Sequence, residues 1–289
     1  MDTLVVGEAL VDVVRRGAEV VEYPGGSAAN AAVALARLGR PVRLWTAYAG
    51  DAGGAVLDHH LTEAGIRLAT DPHVLDRTPS ATATIGATGA ASYVFDVDWR
   101  LADAPATDTA RFVHVCSWGP VLEPGAGRVR DLLSTTAATV TYDVNVRPAV
   151  TGVGPGLAEA VERTAALAQL VKASDEDLEV LYPGYGLEEA AARLRALGPR
   201  AVVVTRGAEG ATWFGAQVVS VGAMPVLVAD TIGAGDTFGA ALLDALWDDD
   251  LATISQERIA AVLRHAVRAA AVTVSRPGAD PPYASELLG

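Results

Sequence analysis

Short apolar runs alternate with longer helix-patterned segments along most of the chain, and this alternation constrains the fold more than any other feature. Strand candidates fall at residues 3–6, 42–47, 112–116, 139–144, 167–171, 201–205 and 218–221. Helix candidates fall between and after them at 27–38, 55–64, 127–136, 157–166, 175–182, 187–197, 237–247 and 259–273. Parallel neighbours need a long crossover, and a helix supplies it. The pattern predicts an α/β fold, a doubly wound, mostly parallel sheet with helices on both faces. Residues 9–23 and 78–98 break the rhythm with polar–apolar alternation, the first around Gly17 and the second around a turn at Gly86 to Gly89. Each reads as an antiparallel hairpin. They are either ordinary edge hairpins or a small separate sheet that closes over a site as a lid.

The 289 residues, 51% hydrophobic, can bury a large core as one large α/β domain or two unequal ones. No apolar run approaches the ~18 residues of a membrane span, and no basic-then-apolar leader opens the chain, so neither a membrane nor a secretory route is expected. Cys116 is the only cysteine, which excludes an internal disulfide and fits a cytoplasmic setting. It reads as a small core residue. A net charge of −13 argues against nucleic-acid binding. Lys172 is the only lysine and lies between Val171 and Ala173, so no Walker-type phosphate loop exists. Phosphate binding would then rest on backbone amides, arginines and metal. His59 and His60 are adjacent, and His73, His114 and His265 stand alone, so no histidine metal site is read.

Residues 230–238 place Gly233, Ala234 and Gly235 just before a helix, with Asp236 at the junction. Almost bare backbone lets a ligand approach the N–H groups, and a helix start favours an anion. Asp236 could take a proton from a hydroxyl held beside that anion. Glycine turns are also commonly structural, and dinucleotide folds use similar ones. Earlier in the chain, Gly25 and Gly26 open a helix of small residues that includes Asn30, whose amide can donate to and accept from sugar hydroxyls. Tight helix packing explains the same alanines.

These two blocks, in this order and about two hundred residues apart, closely resemble the signature regions of the PfkB/ribokinase family of carbohydrate kinases. Similarity runs from Val5-Val6-Gly7-Glu8 to Arg276-Pro277-Gly278-Ala279. The resemblance implies one ribokinase-like domain over 1–289, with 9–23 and 78–98 as its lid, and ATP and magnesium as cofactors. It implies that Asp236 is the catalytic base and that the amides of Gly233, Ala234, Gly235 and Asp236 form an anion hole. Asp12, Gly25, Gly26 and Asn30 match sugar-contacting positions. Lys172, Ser174 and Asp177 fall where the family usually carries Asn-x-x-Glu, associated with magnesium and phosphate; Ser174 and Asp177 stand in for that pair. The acids Asp175, Glu176 and Asp177 also suit an ordinary helix start. Thr205, Arg206, Gly207 and Gly210 resemble the turn beside the nucleotide phosphates, and equally a plain glycine hairpin. Asp230 and Ile232 match positions that bind a monovalent cation such as potassium in many members.

Asp143-Val144-Asn145-Val146-Arg147-Pro148 resembles the fructokinase and 2-keto-3-deoxygluconate kinase branches of that family. Arg147 would project at the carboxyl end of its strand, toward a γ-phosphate or an acidic substrate. Arg100 and Trp99 are candidate substrate contacts or a packing pair. The expected activity is ATP-dependent phosphorylation of D-fructose to fructose 6-phosphate. The alternatives are 2-keto-3-deoxygluconate or another sugar or nucleoside, and a non-catalytic sensor on the same fold. The expected partners are a sugar and ATP, with a homodimer through the lid.

Overall fold

A computed structural model describes residues 1–17, 19–85 and 91–288. The chain opens with β1 (Asp2–Val6), β2 (Leu10–Arg16), β3 (Glu19–Gly25), α1 (Ser27–Arg37), β4 (Val42–Trp45), α2 (Ala52–Glu63) and β5 (Arg67–Leu68). It continues through β6 (Ser80–Ile85), β7 (Ala91–Asp96), β8 (Ala110–Cys116), α3 (Gly125–Thr135), β9 (Thr139–Asp143), α4 (Pro148–Thr151) and α5 (Pro155–Ala165). The remainder is β10 (Leu170–Ser174), α6 (Asp175–Leu181), α7 (Leu187–Arg195), β11 (Ala201–Thr205), β12 (Ala211–Phe214), β13 (Val218–Val221), α8 (Ala234–Ala245) and α9 (Gln256–Val274).

The large sheet has the order β13-β12-β11-β10-β9-β8-β1-β4-β5. From β5 to β11 every pairing is parallel; β12 and β13 then return antiparallel at one edge. Its central strands are buried on both faces, which explains their near-continuous apolar runs. On β1, Val5 faces a core layer built with α1, α2, α8 and α9, whereas Leu4 and Val6 face a second layer built with α3, α5, α6 and α7. The order reverses at β1: the chain leaves it toward β4 and later returns to its other side at β8. Such a switch point opens a crevice outside the carboxyl ends of the strands, where α/β proteins bind ligands.

The two alternating segments form a separate four-stranded sheet, β3-β2-β6-β7. Both hairpins are antiparallel, and β2 joins them by pairing parallel with β6. The turn read at Gly86 to Gly89 lies outside the described residues. β10 occupies Leu170–Ser174 rather than the expected 167–171, because residues 166–168 still bond back to Glu162, Thr164 and Ala165 at the end of α5. The polar Lys172 and Ser174 had masked the true strand. Helix α8 begins at Ala234, three residues before the expected Thr237.

Helices α1 and α8 pack through small residues, including Ala28, Ala31 and Ala32 of α1 and Gly239, Ala240 and Ala241 of α8, all buried. Small side chains let the backbones come close. This contact joins residues more than two hundred positions apart in sequence.

Candidate active site

The crevice at the switch point gathers chain from five places. Gly7 and Glu8 follow β1, Ser27 and Asn30 begin α1, Asn145 follows β9, Lys172 lies midway along β10, and Asp236 lies in the first turn of α8. Asp236 is nearly buried. Its Oδ1 accepts from Ser27 Oγ at 2.7 Å, and its Oδ2 from Asn30 Nδ2 at 2.9 Å. Asn145 Nδ2 donates to Ser27 Oγ at 2.9 Å and reaches Asp236 Oδ1 at 3.5 Å. Two side chains of α1 and one from the loop after β9 thus hold one carboxylate, with charge-assisted bonds stronger than neutral ones.

Asn145 takes this pose with φ +38, and Ser117 at the neighbouring strand end has φ +51. Left-handed backbone at non-glycine residues is uncommon and concentrates at functional sites. The two support one another: Ser117 Oγ donates to the Asn145 carbonyl at 3.1 Å, and Ser117 N to the Asp143 carbonyl at 2.9 Å.

The start of α8 carries no side-chain cap. Gly233 precedes it at φ +73, and a Cβ there would lie 2.7 Å from Ala279 Cβ, so both conformation and space require glycine. Ala234 N–H donates to Thr231 O at 3.3 Å, and Thr237 N–H to Gly233 O at 2.8 Å. The Gly235 and Asp236 N–H groups have no acceptor among the described residues. They are the donors left for an anion, at the positive end of the helix dipole.

Behind this turn lies a buried ion pair. Lys172 Nζ sits 3.0 and 2.9 Å from the two Asp143 oxygens. Burial works against the Lys172 ammonium, but Asp143, Asp177 and Asp236 outweigh it and raise its pKa. Burial likewise pushes the Asp143 carboxyl upward, with Lys172 pulling it back. Two opposite charges bonded twice at this distance are best described as an ion pair.

Glu8 is buried beside Asp236. Its Oε1 accepts from Ser27 N at 3.3 Å, its backbone carbonyl accepts from Ala29 N at 3.3 Å, and its Oε2 has no partner among the described residues. Burial raises its pKa to about 8, against the pull of Arg147. Asp12 on β2 is raised to about 6, again by burial and again opposed by Arg147. A Cβ on Gly25 would fall 2.2 Å from Asp12 Oδ2, so the carboxylate lies across bare backbone. Gly26, at φ +101, lets the chain turn against the Glu8 carbonyl, 2.5 Å from where its Cβ would stand. Arg147 is exposed, with Nη1 donating to the Val146 carbonyl.

The other sequence candidates are placed as follows. Ser174 and Asp177 form a capping box on α6: Ser174 Oγ accepts from Asp177 N at 3.0 Å and Asp177 Oδ2 from Ser174 N at 2.7 Å. Asp177 Oδ1 accepts from Val146 N at 2.7 Å, so both its oxygens hold backbone amides. Asp230 accepts from Ile232 N at 3.0 Å and from Gly278 N at 2.9 Å, tying the loop before α8 to the turn after α9. Those bonds, that from Ile232 first, hold its pKa below the usual carboxylate range. Ile232 is exposed. Thr205 ends β11, and Arg206 and Gly207 enter a tight turn in which Arg206 N donates to the Gly210 carbonyl. Gly210 is pressed against β13, a Cβ there falling 2.1 Å from the Val221 carbonyl. Trp99 is a core residue, its Nε1 donating to the Gly119 carbonyl at 2.7 Å. Arg100 is shared between Asp76 and Asp98 at the surface and has no bond to the Asp236 cluster. Cys116 is buried on β8.

Sequence reasoning missed Ser27 and Asn145 as partners of Asp236, and Glu8 as the group that bonds the start of α1. The motif Asp143-Val144-Asn145 carried a signal, but nothing in it pointed to Asp236.

The profile of the pfkB family carbohydrate kinases matches residues 2–286. The chain is 33% identical over 266 residues to a fructokinase of Rhizobium leguminosarum bv. trifolii, covering 86% of this chain and 81% of that one. Fructokinase from Vibrio cholerae O395, with fructose, ADP and calcium bound, superposes with a TM-score of 0.83 at 28% identity, covering 96% and 94% of the two chains. Fructokinase from Xylella fastidiosa with bound ATP gives 0.83 at 28% identity, covering 99% and 97%. An uncapped helix start with two open amides, a carboxylate fixed beside it and a family match over almost the whole chain agree: the protein belongs to the pfkB family of carbohydrate kinases and is an ATP-dependent sugar kinase.

Proposed function

We propose that the sugar is D-fructose, phosphorylated on its 6-hydroxyl. The observation that carries the transfer chemistry is the fixed Asp236 carboxylate beside the open Gly235 and Asp236 amides. The choice of fructose is supported by the fructokinases among the relatives. Arg147 is the cation an acidic sugar would need. Its field already falls on Glu8 and Asp12, which favours a neutral sugar.

In this reading the sugar lies over Gly25 and Gly26, with Asp12 and Asn30 bonded to its hydroxyls. Its reacting hydroxyl meets Asp236. Ser27, Asn30 and Asn145 prevent the carboxylate from turning away. Asp236 orients the hydroxyl and accepts its proton as the γ-phosphoryl group moves in line. The Gly235 and Asp236 amides take charge that grows on the transferring group. If the transition state is loose, a well-placed weak base suffices, because positioning dominates phosphoryl transfer.

Magnesium enters this reading as an ion carried on the nucleotide phosphates. Among the described residues no group of three or more His, Cys, Asp or Glu side chains could hold a metal ion. We assign Ser174 and Asp177 to the α6 cap and leave Asp177 at most a water-mediated contact to that ion. The junction of residues 230–233 with 274–279, made by bonds from Ala229 and Asp230 to the Val274 carbonyl, suits a monovalent cation held by backbone carbonyls. Thr205, Arg206 and Gly207 would flank the nucleotide. The small sheet would close over the sugar as a lid and exclude water. Exposed Val20, Tyr23 and Val94 on that sheet support pairing of two copies through it, and a solution mass of twice the chain tests this. Arg100 would reach the sugar only by leaving its two carboxylates.

ADP release measured across D-fructose, other ketoses, ribose, nucleosides and 2-keto-3-deoxygluconate tests the substrate. Fructose should give the highest kcat/KM. A preference for the sugar acid would move the assignment to Arg147, and sugar binding without ADP release would mean a sensor.

A further inference from the structure

The proposed transfer mechanism leaves Lys172 and Asp143 without a role. Breaking such a buried pair is costly, yet an apolar replacement of both partners is often no less stable. The pair's placement suggests a use. Lys172 and Asp143 are register partners on β10 and β9. Two glycines of α8, one turn apart, make room for them. A Cβ on Gly235 would stand 3.0 Å from Lys172 Nζ, and one on Gly239 would stand 3.5 Å from Asp143 Oδ2. The positive end of the pair therefore lies against the first turn of α8, and the negative end lies one turn deeper. This adds to the helix dipole with the same sign.

We propose that Lys172 is a positioning residue for phosphoryl transfer, its ammonium held by Asp143 against the back of Gly235 so that its charge strengthens the anion hole. The proposal rests on the phosphoryl-transfer reading of this site. Lys172 acts through the Gly235 and Asp236 amides, on charge that appears only as the phosphoryl group moves. It should affect turnover more than ground-state nucleotide binding.

The groups facing the ammonium are Asp143 on β9, Asp177 on α6, Asp236 on α8 and His114 on β8. His114 adds no second cation: its Nδ1 bonds Thr141 Oγ1 at 2.8 Å, and burial, with Lys172 beside it, lowers its pKa to about 3. In Asp143→Asn the ammonium loses its bonded carboxylate, and burial then draws its pKa down.

Three variants test this in an enzyme whose wild type releases ADP with a sugar; a silent wild type would sink the transfer reading instead. Lys172→Met should lose about 10²-fold in kcat, comparable to losing an oxyanion-hole donor. Because that variant leaves Asp143 unpaired, the double variant Lys172→Met/Asp143→Asn carries the comparison. It should recover the melting temperature and bind ADP and fructose within about threefold of wild type, while kcat stays low. Recovery of kcat to within about threefold would overturn the proposal, as would a raised KM for ATP with kcat unchanged. Asp143→Asn supplies an independent readout. Its kcat relative to wild type should fall as pH rises from about 6 to about 9. A ratio independent of pH would overturn the proposal.

Discussion

Two helices begin at the same end of the sheet, and they begin in opposite ways. Helix α6 is closed by its own side chains: Ser174 and Asp177 exchange bonds with each other's backbone, and Asp177 also holds Val146 N. Helix α8 is open: glycine precedes it in a left-handed turn, and two first-turn amides have no acceptor among the described residues. Both starts carry an aspartate. At α6 it faces backbone amides and finishes a cap. At α8 it faces Ser27 and Asn30 and is left beside the open amides. An acidic residue at a helix start therefore does not by itself define a site. The destination of its two oxygens decides whether it completes the fold or, as proposed for Asp236, is left to serve chemistry. Helix α1 is an intermediate case, uncapped by its own residues but bonded from outside by Glu8.

The strongest way to break this contrast is Asp236→Asn. Fructose and ATP should still bind, read by calorimetry, while kcat falls by about 10³-fold or more. Next comes Asn30→Ala, which removes one anchor of that carboxylate together with the proposed sugar contact. We expect kcat/KM to drop by about 10²-fold with little change in melting temperature. Gly233→Ala closes the open start sterically. Its left-handed backbone and the contact with Ala279 should cost about 1–2 kcal/mol in denaturant unfolding and lower kcat as the turn shifts. Asp177→Ala strikes the closed start, so the contrast reverses. Stability should fall by about 1–2 kcal/mol, yet kcat per folded molecule and its magnesium dependence should stay within a few-fold of wild type. A steep loss of magnesium response would make Asp177 a metal group instead.

The smallest effect sharpens the intermediate case. Glu8 has a folded pKa of about 8 against an ordinary 4.5, so the contribution of its protonated form is complete below about pH 4.5 and lost as pH rises through about 8. Unfolding free energy should decline across that window in wild type, and Glu8→Gln should flatten the decline.

Much of this was legible in the chain. The β–α alternation gave the parallel sheet because doubly buried strands are written as unbroken apolar runs. The glycine-rich start of α8 and the carboxylate in it were legible because both are local. Ser27 was not legible as the partner of Asp236, since the two are 209 residues apart and meet only through the α1–α8 contact. Lys172 is expected toward the nucleotide because its segment falls where the resembled family carries Asn-x-x-Glu. Only the register of β9 and β10 shows that Asp143 holds it beneath Gly235. Asp177 was ambiguous for a related reason: capping and metal binding use the same residue types at the same helix position.

In the proposed reaction the open start of α8 and Asp236 together move a phosphoryl group from ATP to a sugar hydroxyl. Phosphorus NMR of the enzyme with ATP, magnesium and D-fructose tests this. One phosphomonoester should appear on the sugar's 6-oxygen in step with ADP, and neither should form with Asp236→Asn at matched ligand occupancy. ADP and inorganic phosphate without a sugar ester, or an undiminished ester from Asp236→Asn, would contradict the claim.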